Sequence, residues 1–181
     1  MLNYALYQAG WLAAVVGAGQ EHPWGGMAVA LALMGVHTAL ARERAAEVRL
    51  MLMAGVIGLL VDSTHVRLGL LSFPTGMVVP GLCPPWIVVM WMQFATTIRF
   101  SLHWLLGPLM RGAVFGAVGG PLAYLVGHRL GAVVWGPSPA LTVVGLSVLW
   151  TLAVPVLVLA ARREISTGYR IHASGEPGRS R

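Results

Sequence analysis

The sequence predicts an all-α fold, a polytopic membrane helix bundle. Three observations support this prediction: 57% of the 181 residues are hydrophobic, only 10% are charged, and the mean hydropathy is +0.75. A soluble domain is about 45–50% apolar and about 25% charged. Twelve basic and six acidic residues cannot cover a globule of this size with water-facing surface. The composition therefore excludes an ordinary cytosolic enzyme, a nucleic-acid-binding domain and a disordered chain.

Six apolar stretches are long enough to be spanning helices, because a helix needs about 20 residues to cross a hydrocarbon core of roughly 30 Å. We predict the spans Leu2–Gly19, Trp24–Ala41, Arg49–Leu71, Trp86–Leu106, Leu109–Leu130 and Leu141–Ala161. Breakers and charged links separate them, at Glu21–Pro23, Arg42–Glu47, Gly107–Pro108 and Gly136–Pro139. No Lys or Arg precedes the first stretch, so we expect a retained span and not a secretory signal peptide.

The arginines predict the orientation of the bundle, since all twelve basic residues are Arg. They flank the apolar runs and form no basic stripe, so the net charge of +6 predicts no nucleic-acid partner. With six spans and both termini in the cytoplasm, only Arg67 and Arg129 lie outside, as the positive-inside rule requires. We therefore expect a multi-pass protein of a bacterial inner membrane. Residues 1–163 form its transmembrane domain, and residues 164–181 a polar, disordered cytoplasmic tail.

One connection, Leu70–Pro85, is long and apolar but interrupted by Pro and Gly. We expect it to lie in the membrane interface or to re-enter the bundle. It contains the single cysteine, Cys83, which cannot form an intrachain disulfide and which we interpret as a small apolar filler.

Two predicted spans carry small residues at helical spacing. On the third span the face contains Gly55, Gly58, Asp62, His65 and Gly69. On the fifth it contains Gly112, Gly116, Gly120, Ala123, Gly127 and Gly131. Because small residues allow close helix approach in lipid, we expect both faces inside the bundle. A membrane protein partner that packs on such a face is the alternative.

Polar residues within the spans are the candidate functional residues, since a carboxylate at bilayer depth costs several kcal/mol unless it is paired, protonated or hydrated. Asp62, the only Asp, shares a helix face with His65, one turn away, and both are candidate catalytic residues. Counted from the outer helix ends, Gln93 and Tyr124 lie at similar depth and are candidate binding residues. We expect these four side chains to meet in one outward-leaning pocket. Three further binding residues are expected at its mouth: Arg67, His128 and Arg129.

Structural interpretations remain open for these residues. Asp62 could cap a turn and pair with Arg67, and His65 could be a hydrogen-bonded core histidine. A second polar set lies near the predicted cytoplasmic ends and is interpreted as interfacial anchors: Asn3, Gln8, His37, Arg99 and His103.

Several enzyme motifs are absent from the sequence. There is no HExxH of a zinc protease, no GxSxG of a serine hydrolase and no GxxxxGK[ST] nucleotide loop. One Asp is too few for the aspartate-rich Mg²⁺ sites of phosphoalcohol transferases. We therefore predict no metal and no cofactor.

The chain resembles an uncharacterised bacterial inner-membrane family, domain of unknown function 2878. The resemblance follows the chain in order up to about Arg163, on the stretches NYALYQAGWLAAVVGAG, GLLVD, WIVVMWMQFATT, SLHWL and GAVGGPLAYLVGHRLGA. It implies a small polytopic membrane protein without an assigned activity, encoded near fatty-acid-modifying genes. It supplies no catalytic residues.

Three functional hypotheses follow. In the first, the protein handles or modifies an envelope lipid or another amphipathic molecule in the intramembrane pocket, with Asp62 as proton acceptor and membrane lipids as partners. In the second, it is a proton-coupled carrier of a small molecule, in which Asp62 loads and releases the proton. In the third, it is a non-catalytic accessory subunit of a membrane complex.

Overall fold

The computed structural model describes the backbone of residues 2–174 and the side chains of residues 2–165. The six α-helices are α1 (Leu2–Gly19), α2 (Pro23–Leu40), α3 (Arg44–Arg67), α4 (Pro85–Ile98), α5 (Leu109–Arg129) and α6 (Pro139–Ser174). A short 3-10 helix covers His103–Leu106, and two two-residue strands, β1 (Leu71–Ser72) and β2 (Val134–Trp135), complete the elements of the described chain. The all-helical prediction is confirmed.

Helix boundaries differ from the predicted spans where local turn chemistry intervenes. α3 begins at Arg44, within the charged link, and ends at Arg67 instead of Leu71. It ends there because Gly69 adopts a φ of +65°, a left-handed conformation that favours glycine and stops the helix. α6 continues to Ser174, through the first part of the predicted tail. Residues 175–181 lie outside the described residues, and the separate tail stays a prediction.

The predicted fourth span, Trp86–Leu106, is not one continuous helix. α4 ends at Ile98 after 14 residues, about 21 Å of helix, which is short of the hydrocarbon core. The chain then turns at Arg99, whose side chain pairs with two carboxylates of α3 and its N-cap. Among the described helices, α2, α5 and α6 are long and apolar enough to cross a membrane. These three helices indicate a membrane protein, and the count of six spans stays a prediction.

Consecutive helices pack as three hairpin pairs, α1 with α2, α3 with α4, and α5 with α6. The middle pair joins the others, since α4 contacts α1 and α2 while α3 contacts α6. Glycines permit the closest approaches, as predicted for α3 and α5. A Cβ at Gly116 would overlap the backbone carbonyl oxygen of Trp150, and one at Gly58 would overlap the Trp91 side chain. Gly69 and Gly131 lie beyond these faces, because each adopts a positive φ just after its helix ends.

The connections after α3 and α5 close one end of the bundle. β1 and β2 pair antiparallel, with Leu71 opposite Trp135. The Leu70–Pro85 connection then lies against the end of α1, where the Thr75 hydroxyl donates to the Ala18 carbonyl at 2.9 Å. Its Cys83 is buried and donates its backbone N–H to the Ser63 hydroxyl at 3.0 Å. We call this end, which the arginine distribution predicts to be outside, the outer end.

The arginines separate between the two ends of the bundle. Arg49 pairs with Glu164 of α6, so the beginning of α3 and this part of α6 lie at the same end. Arg67 donates to the carbonyl of Gly81 in the outer connection. The distribution used to predict orientation is therefore preserved in three dimensions, although the side of the membrane stays a prediction.

The close approach of α5 and α6 predicts that alanine at Gly116 destabilises the protein, whereas alanine at a glycine without close neighbours does not. We expect Gly116→Ala to lower the free energy of unfolding by about 1–3 kcal/mol, because its Cβ meets backbone that cannot rotate away. Gly35→Ala is the matched control, since a Cβ at Gly35 meets nothing within 4 Å. Thermal unfolding in detergent measures both, and equal stability of the two variants would contradict this packing.

The outer connection predicts a protected thiol. Burial, and secondarily the Asp62 carboxylate, raise the pKa of the Cys83 thiol to about 12, so it stays protonated at pH 8. We expect slow maleimide labelling of the native protein and fast labelling after unfolding in dodecyl sulfate. The control is Met77→Cys in a Cys83→Ala background, because Met77 is 41% exposed on the same connection. Labelling of wild type as fast as this control would show that the connection does not cover Cys83.

Candidate functional site

Asp62 and His65 form a buried pair on α3. Both side chains are fully inaccessible, and Asp62 Oδ1 lies 3.6 Å from His65 Nδ1. The indole Nε1–H of Trp91 donates a hydrogen bond of 2.6 Å to Asp62 Oδ2. Neither Asp62 Oδ1 nor either ring nitrogen of His65 has a hydrogen-bond partner in the protein. The pair therefore retains polar atoms able to accept a proton or bind a small polar molecule.

Glycines make room for this pair. Gly58, one turn before Asp62, leaves the space that the Trp91 indole of α4 occupies. Gly145 of α6 lies against the His65 ring, since a Cβ there would be 3.6 Å from Cδ2 of His65. The predicted small-residue face of α3 is thus also the face on which the site is built.

An aromatic layer covers the Asp62 side of the pair. The Trp91 and Trp150 rings lie 4.4 Å apart, and the Tyr124 ring lies 6.3 Å from that of Trp150. Tyr124 is buried, and its hydroxyl is within reach of the Asp62 carboxyl. The structure therefore brings together three of the four residues predicted to form the pocket, Asp62, His65 and Tyr124.

Gln93 does not belong to this group, and its predicted place in the pocket is wrong. Its side-chain Nε2 donates to the Leu6 carbonyl at 3.3 Å, and the amide packs against Gly10 of α1. Gln93 was selected by its depth in the membrane, without regard to the face of α4 on which it lies. Residues two apart, such as Trp91 and Gln93, point about 200° apart around a helix. Trp91, which sequence analysis missed, lies on the face toward α3. Gly58, one turn before Asp62, was the available signal, because a glycine there leaves space for a large side chain of a neighbouring helix.

The three residues predicted at the pocket mouth lie at the outer end but do not line the cleft described below. Arg67 contacts the Gly81 carbonyl at 3.2 Å. The His128 ring stacks on Trp135 at 5.4 Å, and its Nδ1 lies 3.0 Å from the Val133 carbonyl. Arg129 is exposed. The structure therefore does not bring these three side chains to the lining of the cleft.

A narrow cleft of about 50 Å³ lies in front of the aromatic layer. Fourteen residues line it: Tyr7, Trp11, Val15, Trp86, Ile87, Met90, Trp91, Phe94, Ala123, Tyr124, Gly127, Ala132, Val133 and Trp150. The cleft separates α1 from α5, two helices that do not pack along each other. At the outer end it is closed where Gly19 meets the Leu130 carbonyl. Because the Trp91 N–H points to Asp62, the cleft presents aromatic surface, and Asp62 lies behind it.

A second polar cluster lies at the opposite end of the bundle. Glu47, only 1% exposed, is 3.1 Å from His37 Nε2 and 2.8 Å from Arg99 Nη1. Arg99 also pairs with Glu43. The side chains of His37 and Arg99, which were predicted as interfacial anchors, are turned inward to carboxylates.

Asn3 extends this cluster to α1. Its Nδ2 donates to the Thr96 carbonyl at 3.1 Å, and its Oδ1 accepts the Ser101 hydroxyl at 2.8 Å. These contacts orient the amide so that Nδ2 also faces His37 Nδ1, at 3.1 Å. His37 Nδ1 must then accept, which leaves its Nε2–H to donate to Glu47. The other two predicted anchors, Gln8 and His103, bond to the Tyr4 hydroxyl and the Phe100 carbonyl.

Within the described residues, no group of three or more His, Cys, Asp or Glu side chains could hold a metal ion.

Comparison with known protein families assigns this chain to one of them. The model of the family "Protein of unknown function (DUF2878)" matches residues 1–156. The chain belongs to this family. No curated protein and no solved structure matches it. The match covers both polar clusters and the cleft, so the DUF2878 region contains every candidate residue described above.

The indole hydrogen bond predicts a specific coupling in this DUF2878 protein. We expect Trp91→Phe to lower the free energy of unfolding by about 1–3 kcal/mol, because a buried carboxylate oxygen loses its donor. The loss should be smaller in an Asp62→Asn background, where the acceptor is neutral. A double-mutant cycle by thermal unfolding measures this coupling.

Trp104→Phe is the control for that cycle, since Trp104 is 44% exposed and far from Asp62 in sequence and fold. Its change should stay within about 0.5 kcal/mol. Additive effects of Trp91→Phe and Asp62→Asn would show that the two side chains are independent.

Proposed function

We propose that this DUF2878 chain is a multi-pass protein of the bacterial inner membrane that handles an envelope lipid or another amphipathic molecule. It holds the hydrophobic part of that molecule in the cleft between α1 and α5. The observation that carries the proposal is an aromatic cleft between two helices that do not pack together. In a bilayer a gap between two helices faces hydrocarbon chains, so a ligand enters from the lipid phase.

The lining selects the part of the ligand that enters. Aromatic and aliphatic side chains make up nearly all of the surface, and the polar atoms of Trp91 and Tyr124 point away from it toward Asp62. A hydrocarbon chain end fits this lining, whereas a charged head group would lose its hydration without gaining hydrogen bonds. The cleft is narrow, and the flexible Met90 side chain on its wall can yield to an entering chain.

The Asp62–His65 pair supplies the chemistry of the site. Asp62 acts as proton acceptor, and the His65 ring, whose Nδ1 lies 3.6 Å from Asp62 Oδ1, is its neighbouring polar partner. Rotation of the Trp91 indole opens the pair to the cleft.

A proton-coupled carrier is the second candidate, and one observation favours it. Asp62 Oδ1 and both His65 nitrogens lack partners, so the pair can bind and release a proton without breaking an existing protein hydrogen bond. The accessory-subunit hypothesis receives less support, because Gly58 and Gly116 already pack against α4 and α6 of the same chain.

Photolabelling tests the cleft. With purified protein in vesicles containing a phospholipid whose acyl chain ends in a diazirine, we expect labelled peptides from α1 and α4 around Trp11 and Met90. Ala123→Phe fills the cleft and should reduce this labelling several-fold. Val29→Phe is the control, because Val29 is 46% exposed on α2, away from the cleft. Labelling that is equal in both variants would contradict ligand entry between α1 and α5.

A cellular measurement then tests the role of Asp62. The lipid profile of a deletion strain, measured by mass spectrometry, is compared after complementation with wild type, Asp62→Asn or Val29→Phe at equal membrane levels. We expect wild type and Val29→Phe to restore a shifted lipid class and Asp62→Asn to fail. Profiles that never differ would remove the lipid-directed proposal and favour the carrier, which a proton-uptake assay in vesicles addresses.

A further inference from the structure

Two arginines meet around Gly107 without a carboxylate. Arg162 of α6 donates its Nε–H to the Leu106 carbonyl at 3.1 Å and a second N–H to the Gly107 carbonyl. Arg111 of α5 donates to the Trp104 carbonyl at 3.3 Å, and its Nη1 would lie 2.7 Å from a Cβ at Gly107. The two guanidinium groups therefore flank the same turn.

These two charges are not neutralised by the described protein. Arg49 and Arg99, at the same end of the bundle, both pair with glutamates. Arg111 and Arg162, in contrast, bond only to backbone carbonyls, and no carboxylate of the described residues lies within 4.0 Å of either. Two uncompensated guanidinium groups that flank one turn favour an anion with several oxygens, such as a phosphate.

An apolar groove leads away from Arg111 along the exposed face of α5. Its other lining residues are Trp104, Met110, Val114, Phe115, Val118, Gly119 and Leu122. From Arg111 to Leu122 the helix rises by about 16 Å, which is close to half of a hydrocarbon core of roughly 30 Å. The groove therefore has the length of one acyl chain in one leaflet. Gly119 deepens it, because a Cβ there would only touch the Phe115 ring.

We propose that Arg111, Arg162 and this groove form a binding site for an anionic phospholipid. The phosphate lies between the two guanidinium groups, Trp104 lies at the head-group level, and one acyl chain follows the groove to Leu122. The apolar groove favours a lipid over a free phosphate, because a free phosphate would contact only the two arginines and leave the groove empty. This site is separate from the cleft, which lies on the face of α5 that carries Ala123 and Tyr124.

Tryptophan quenching by brominated lipids tests the site. Full-length protein is placed in phosphatidylcholine vesicles with increasing mole fractions of brominated phosphatidylglycerol or brominated phosphatidylcholine. The Trp104 signal is the difference between wild type and Trp104→Phe. We expect half-quenching of this signal at a several-fold lower mole fraction of the anionic lipid. Equal quenching by the two lipids would overturn the proposal.

Three variants separate charge from groove. Arg111→Gln should remove most of the preference for the anionic lipid, and it leaves the Arg162 bonds that hold the turn intact. Gly119→Leu fills the groove and should reduce quenching by both lipids. Arg129→Gln, at the outer end, should leave the preference unchanged. A preference that survives Arg111→Gln and an Arg111→Gln, Arg162→Gln double variant would also overturn the proposal, whatever the photolabelling of the cleft shows.

Discussion

The burial of the Asp62 carboxylate is the constraint on which the centre of this bundle depends. A buried carboxylate needs hydrogen-bond donors; the indole of Trp91 donates one, and the Tyr124 hydroxyl lies within reach of the same carboxyl. The two groups come from different helices, α4 and α5. The helices can deliver them only because Gly58 and Gly120 leave space for the rings of Trp91 and Trp150. The glycine faces and the polar site are therefore one structural solution.

The two polar clusters solve the same problem with different chemistry. At the end opposite the β1–β2 pair, Glu47 is matched by a permanent cation, Arg99, and by His37. Both carboxylate oxygens of Glu47 have partners, so this cluster is suited to holding α1, α2, α3 and α4 together. Asp62 has only neutral donors and a histidine whose ring nitrogens lack partners. Incomplete satisfaction of this kind is costly for stability, and a chain that retains it gains a place where a proton or ligand can bind.

The described chain has two apolar surfaces of distinct form. The cleft between α1 and α5 is aromatic, narrow and connected through Trp91 to the Asp62–His65 pair. The groove on the opposite side of α5 is apolar and open, and Arg111 lies in its lining. Because α5 carries both, its residues alternate between a face toward the cleft and a face toward the groove. The two surfaces therefore differ in shape and in the polar groups beside them.

The sequence by itself determined the helical class, the bounds of α1 and the interior faces of α3 and α5. These follow from local causes, namely apolar runs, breakers and small residues at helical spacing. It also identified Asp62, His65 and Tyr124 as a group, because depth along neighbouring helices can be counted. The end of α4 at Ile98 could not be counted in this way, since the apolar pattern continues and only the pairing of Arg99 with α3 turns the chain.

Only the tertiary structure decided which side of α4 meets Asp62. Gln93 and Trp91 lie at nearly the same depth, and the rotation of α4 about its axis places the indole, not the amide, beside the carboxylate. That rotation results from packing against Gly58 on one side and Gly10 on the other. Likewise, the gap between α1 and α5 depends on how the α1–α2 and α5–α6 hairpins pack against the α3–α4 hairpin. The depth of a residue depends on one helix and can be counted along the sequence. Which residues of a helix face its neighbour depends on both helices, and therefore requires the tertiary structure.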